Sequence, residues 1–174
     1  MSWLRRLFGS KADTSTVRAR RLHKQIVKKA RTPELYEAGL LTDSLEGRFH
    51  GIALYAALVF PVLEAGGAEG KAVSASLNTQ IFDAFDAALR ETGVGDASIA
   101  RKIRKMGEEF FGIGLSVNEA ARSNDQEGGL AEVLARNHIS PVDRSRQLSR
   151  MLIEDYAVLR SAPVSSVLGG DLPW

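Results

Sequence analysis

The sequence predicts an all-α protein: a single-domain bundle of about six or seven helices with a basic N-terminal arm. Three observations predict it. Apolar residues recur every three or four positions through most of the 174 residues, the period of a helix with one buried face. No stretch alternates apolar and polar residues as a half-buried strand does. Ser, Thr, Asp and Pro stand where helices should start, and Gly where they should stop. Hydrophobic residues make up 44% and charged residues 25% of the chain, ordinary for one globular domain. A chain of this length buries about 68–70% of its unfolded surface and needs no covalent staple.

Three parts are expected: an arm over 1–14, basic and apolar; a helical domain over 15–162; and a tail over 163–174. The domain opens with a helix from Val17 to Arg31 that presents Val17, Leu22, Ile26 and Val27 to the interior. Thr32 is a candidate cap, and Pro33 suits the first helical position, where its missing N–H costs nothing. Asp43 with Glu46 three residues on forms the pattern of a capping box. A long helix then runs toward Glu64, kinked at Pro61 by the loss of a backbone donor. "EAGGAEGKA" reads as a loop. Leu77, Ile81, Phe85, Ala88 and Leu89 give the next helix its apolar face. That helix should end at Gly93, with Gly95 allowing a turn and Asp96 capping the start of another helix.

Ile99, Ile103, Met106, Phe110, Ile113 and Val117 line the helix after the turn. "SNDQEGG" reads as a break, and Leu130 to Asn137 as a short helix. Ser140 as cap, Pro141 at the first position and Asp143 as reciprocal acid open a further helix, with Leu148, Leu152, Tyr156 and Leu159 on its inner side. The tail "PVSSVLGGDLPW" reads as a turn and a loose end.

Several chemistries are excluded. The chain has no cysteine, which removes disulfides, thiolate metal sites and cysteine nucleophiles. "GGAEGK" departs from a P-loop at Ala65 and Ala72, and "GVGDAS" lacks the third glycine of a dinucleotide turn; neither comes after a strand. His23, His50 and His138 are scattered, with no ligand pattern at i+3 or i+4, and the pairs Asp83/Asp86 and Glu108/Glu109 read as solvated charge. No G-x-S-x-G elbow occurs. No catalytic, cofactor-binding or metal-binding residue is therefore assigned, and a non-enzymatic role is expected.

Charge is unevenly placed. Of 23 Lys/Arg, ten lie in residues 1–31 against the single acid Asp13, leaving the remainder acidic. This polarity implies a polyanionic partner, either a membrane surface or RNA and the ribosome, with no DNA expected. In "MSWLRRLFG", Trp3, Leu4, Leu7 and Phe8 share one side of a short helix, and Arg5 and Arg6 would meet anionic headgroups. Arg101, Lys102, Arg104 and Lys105 form a second basic cluster, read as a solvated face. The longest central run without formal charge, Gly51 to Leu63, is too short to cross a bilayer, which needs about 20 residues. A cytoplasmic protein, peripheral at the inner face of the membrane, is expected (the matrix side in a mitochondrion).

Three blocks carry a resemblance: "ARTPELYEAGLLTDSLEGRF" (Ala30–Phe49), "IFDAFDAALRETGVGDASIARKIRKMGEEFFG" (Ile81–Gly112) and, more weakly, "LARN" (Leu134–Asn137). In this order they are similar to the ubiquinol–cytochrome c chaperone family, assembly factors of respiratory complex III, in a bacterial-type form. The resemblance implies an all-helical chaperone without cofactors that binds newly made cytochrome b. Client- or partner-binding residues are expected among Asp43, Gly47, Arg48, Phe49, Tyr55, Arg90, Glu91, Phe110 and Phe111. The resemblance also implies a structural joint at Gly93, Gly95 and Asp96. His50-Gly51, Tyr55, Ile113 and Val117 depart from the family's pattern. An apolar groove is expected, lined by whichever of Phe49, Tyr55, Phe60, Phe82, Phe85, Phe110 and Phe111 prove exposed. Glu91, ill placed against the dipole of a helix end, is expected to pair with Arg48. The RNA- or ribosome-binding reading of the arm stands as the alternative.

Overall fold

The computed structural model describes the backbone of residues 3–91 and 96–174, with side chains over 14–91 and 98–174. Within them the chain is all-α: α1 (Trp3–Ala30), α2 (Pro33–Glu37), α3 (Leu45–Glu64), α4 (Gly67–Glu91), α5 (Asp96–Ala120), α6 (Gln126–Arg136), α7 (Val142–Ser161) and α8 (Val164–Gly169). Gly93 and Gly95 fall outside the described residues; Asp96 is the first residue of α5.

α3 is the axis of the bundle. From Phe49 to Val59 every residue is buried, because α1, α4, α5, α7 and α8 all pack around it. A helix apolar on all sides belongs in the middle of a core. Its neighbours are one-faced. α1 buries Ala19, Leu22, Ile26 and Ala30; α4 buries Val73, Leu77, Ile81, Phe85 and Leu89; α5 buries Ile99, Phe110, Ile113 and Val117. α6 packs between α5 and α7.

Several boundaries differ from those expected of the sequence. α1 begins at Trp3, so the arm is helical in backbone and continuous with the first domain helix; Val17 faces solvent and Ala19 takes the inner position. The cap of α3 is Ser44, whose Oγ accepts from the Gly47 N–H at 3.0 Å, while Asp43 turns outward to Arg48. "EAGGAEGKA" is mostly helix: α4 starts at Gly67, and Ala65 and Gly66 alone connect it to α3. Gly70 explains the difference. A Cβ there would stand 1.7 Å from the Leu63 carbonyl oxygen, so this glycine lets two helices touch backbone to backbone.

Likewise α6 starts at Gln126, four residues before the expected start, with Asp125 accepting from the Gly128 N–H at 2.9 Å. α7 starts at Val142 with Pro141 in the cap position; Ser140 is buried and makes no cap bond. Pro33 occupies the first helical position as expected, but Thr32 gives its hydroxyl to the Lys29 carbonyl rather than capping α2.

The tail is docked, not loose. α8 sets Leu168 against the α3–α4 joint, where a Cβ on Gly66 would meet it at 2.7 Å. Gly170, at φ +96°, turns the chain back over α1. Gln25 then holds it at two points: its Nε2 donates to the Gly170 carbonyl (2.7 Å), and its Oε1 accepts from the Leu172 N–H (3.0 Å).

Candidate functional site

Small residues open a hollow where α3, α4 and α5 meet. Ala53 and Ala57 on α3 and Gly114 on α5 leave a cavity of about 320 Å³, closed at the sides by Phe60, Phe110 and Phe111. The rings support one another. Phe82 meets Phe110 edge-on at 5.4 Å and stacks on Phe111 at 6.5 Å, and Phe60 meets Phe110 edge-on at 6.2 Å. Phe111 is 57% and Leu115 68% exposed, one turn apart on the outer face of α5. Together they form an exposed apolar edge beside the hollow.

Three polar groups lie beneath the apolar lining. Ser74 Oγ and Asn78 Oδ1 on α4 are buried without a hydrogen-bond partner. Asn118 Nδ2 donates to the carbonyls of Ala57 (3.3 Å) and Gly114 (2.8 Å). The Ala57 carbonyl is open because Pro61, four residues on, has no N–H to give it. The loss inside α3 thus becomes a tie to α5.

The α3–α5 seam continues past the hollow into a polar end. His50, 5% exposed in its side chain, lies one turn before Ala53 and holds Glu109 of α5 through Nε2···Oε1 at 2.7 Å. Because a carboxylate only accepts, Nε2 carries the hydrogen. Glu46, one turn earlier on α3, brings a carboxylate oxygen close, so that the three ligand atoms lie within 4.8 Å of one another.

The opposite side of α3 is sealed by hydrogen bonds. Tyr55 is buried and donates to Asp155 Oδ2 (3.0 Å); Lys29 donates to Asp155 Oδ1 (2.7 Å) and lies about 6 Å over the rings of Tyr55 and Trp174. Burial, then the Asp155 carboxylate, pushes the Tyr55 phenol well above the usual tyrosine range.

The residues singled out in the sequence divide accordingly. Phe110 and Phe111 line the hollow. Phe49 and Tyr55 are core residues, 2% and 1% exposed. Gly47 is a packing residue, since a Cβ would stand 1.9 Å from the Thr42 carbonyl oxygen. Asp43 and Arg48 pair on the surface at 2.8 Å, and Arg90 pairs with Asp86 at 2.6 Å. The expected Glu91–Arg48 pair is absent among the described residues, because Asp43 lies close in the turn before α3 and takes the guanidinium. Arg101, Lys102 and Arg104, with Lys105, lie along the outer side of α5, as a solvated face should. Side chains of Trp3, Leu4, Arg5, Arg6, Leu7, Phe8 and Asp96 lie outside the described set. Sequence reasoning missed Ala53, Ala57, Leu115 and Asn118, which carry no motif. It also missed Glu46, which sits one turn behind His50 where only the forward positions were considered.

Comparisons with known proteins bear on the family and the fold. A model of the ubiquinol-cytochrome C chaperone family matches residues 37–174. No curated protein matches the sequence. Among solved structures, the crystal structure of the Cbp3 homolog from Brucella abortus has the same fold, with a TM-score of 0.83 over 98% of this chain and 96% of that one at 23% identity.

Proposed function

The chain belongs to the ubiquinol-cytochrome C chaperone family, and on that premise we propose that it binds newly made cytochrome b through the α3–α4–α5 hollow during assembly of complex III. Membership makes it an assembly chaperone, whose work is binding rather than catalysis. One observation carries the choice of surface: Phe111 and Leu115 stand exposed at the rim of a cavity walled by rings. A membrane-helix client presents apolar side chains with its backbone already satisfied, so an apolar groove between helices suits it.

Among the described residues no helix is long and apolar enough to cross a membrane. Peripheral attachment is proposed through α1, with Trp3, Leu4, Leu7 and Phe8 in the interface and Arg5 and Arg6 toward anionic lipid. Exposed Arg20, Lys24, Lys28 and Arg31 extend the cationic character of the same segment, with Arg31 just past its end.

The test is co-purification of cytochrome b with the tagged chain from gently solubilised membranes. Wild type should retain it and Phe111→Asp should lose it. Equal recovery with both would refute the surface; no recovery with either, together with normal complex III in a deletion strain, would refute the client. Flotation with anionic vesicles, set against salt-dependent binding to ribosomes, separates the two polyanion partners of α1.

A further inference from the structure

We propose that Glu46, His50 and Glu109 form a binding site for a divalent transition-metal ion, with Zn²⁺ the best match. The site stands independently of the client reading. The three residues come from two helices and already converge, with ligand atoms within 4.8 Å of one another. A cation at about 2.0–2.2 Å from each atom needs separations no greater than about 4.4 Å. Glu46 is exposed and free to rotate, so a small turn about its side chain closes the set.

The chemistry selects the ion. One imidazole and two carboxylates favour zinc, manganese or ferrous iron over magnesium, which takes oxygen and water almost alone. His50 is fixed in direction by burial and by its bond to Glu109, so the least mobile ligand is pre-placed. An ion at Nε2 replaces the proton now shared with Glu109. Three protein ligands leave a fourth position open to water, the pattern of an accessible rather than a closed structural site. His23 and His138 have no such neighbours among the described residues.

Position gives the site its consequence. His50 lies one turn from Ala53, so the ion ties the start of α3 to the middle of α5 at the end of the seam that carries the hollow. Occupancy would stiffen one wall of that hollow from outside it.

The full chain, stripped with chelator, is titrated with Zn²⁺ by calorimetry, and with Co²⁺ while the visible spectrum is followed. One ion per chain is expected, with the intense bands of low-coordinate cobalt. Glu46→Gln, which removes an exposed carboxylate and leaves the His50–Glu109 bond intact, should weaken binding about tenfold or more, since even outer partners of a metal ligand are worth ~10–100-fold. At one Zn²⁺ concentration the Tm of the wild type should rise more than that of Glu46→Gln. Glu109→Gln gives an independent arm that also spares the buried histidine. Absence of one-to-one binding overturns the proposal. So does unchanged affinity in Glu46→Gln, or Mg²⁺ competing as well as Zn²⁺, which would mark a plain acidic patch.

Discussion

The two sides of α3 solve the same burial problem differently. Toward α1, α7 and the docked tail, the helix is closed by directed bonds: Tyr55 to Asp155, Asp155 to Lys29, and Gln25 to the backbone on both sides of Asp171. Toward α4 and α5 two side-chain bonds cross to α5, His50–Glu109 and Asn118 to the Ala57 carbonyl, but between them rings and small residues cover the helix and leave a cavity lined by two unpartnered polar atoms. Hydrogen bonds demand one geometry, whereas aromatic edges tolerate several separations at modest cost. The first side is therefore built to stay shut. The second leaves open space between its rings, where the proposed client would sit.

That contrast can be broken most severely at the α3–α4 contact, which both sides depend on. Gly70→Ala places a methyl against the Leu63 carbonyl, a backbone atom that cannot swing aside. A loss of about 3 kcal/mol, at the upper end of overpacking costs, is expected in urea unfolding, and a wild-type midpoint would contradict the backbone contact. Asp155→Ala attacks the sealed side alone, orphaning a buried phenol and an ammonium; about 2 kcal/mol should be lost. Cytochrome b recovery from the folded variant should survive that change.

Alkali probes the same seal more gently. The Tyr55 pKa is raised in the folded chain, so the folded state keeps a proton that the unfolded state releases. The stabilisation is complete below about pH 10, the ordinary tyrosine value, and declines as pH rises through the folded-state value. Between the two the unfolded chain ionises first, so Tyr55 itself resists unfolding least once its own phenol titrates. Tyr55→Phe should remove this residue's share of the alkaline pH dependence relative to wild type, read as a change in the slope of stability against pH above about 10. The smallest stability effect belongs to the open side. Phe111→Asp changes an exposed position and should shift unfolding by no more than about 0.5 kcal/mol, while abolishing client recovery. A large destabilisation would show that Phe111 holds the fold instead of the client.

The same contrast governs what could be read in advance. The inner faces of α4 and α5 were legible because Leu77, Ile81 and Phe85, or Phe110, Ile113 and Val117, repeat with the helix period and nothing else is needed to bury them. Glycine was ambiguous: in "EAGGAEGKA" it read as a chain breaker, while Gly70 serves a close helix contact, and composition does not separate the two uses. Caps slipped by one residue between neighbouring candidates, Asp43 for Ser44 and Ser140 for Pro141, because adjacent positions in a turn offer similar starts.

The tail was unreadable for another reason. Its anchors, Gln25 with Gly170 and Tyr55 with Trp174, join residues more than a hundred positions apart. The site was half legible. Phe110 and Phe111 were both named, but one is 4% and the other 57% exposed, a distinction set by where α4 lies and not by either residue. Glu109 reaches His50 across 59 positions, beyond any local pattern.

Pro61 has a mechanical consequence. By withholding one amide it leaves the Ala57 carbonyl to Asn118, and that bond, with His50–Glu109 two turns earlier on α3, fixes the register of α3 against α5. Any slide of α5 along α3 strands a buried oxygen, which costs roughly 1–3 kcal/mol, and a rotation about that point pulls Glu109 from the buried His50. Two such ties, one on each side of Ala53, hold the walls of the hollow in one register.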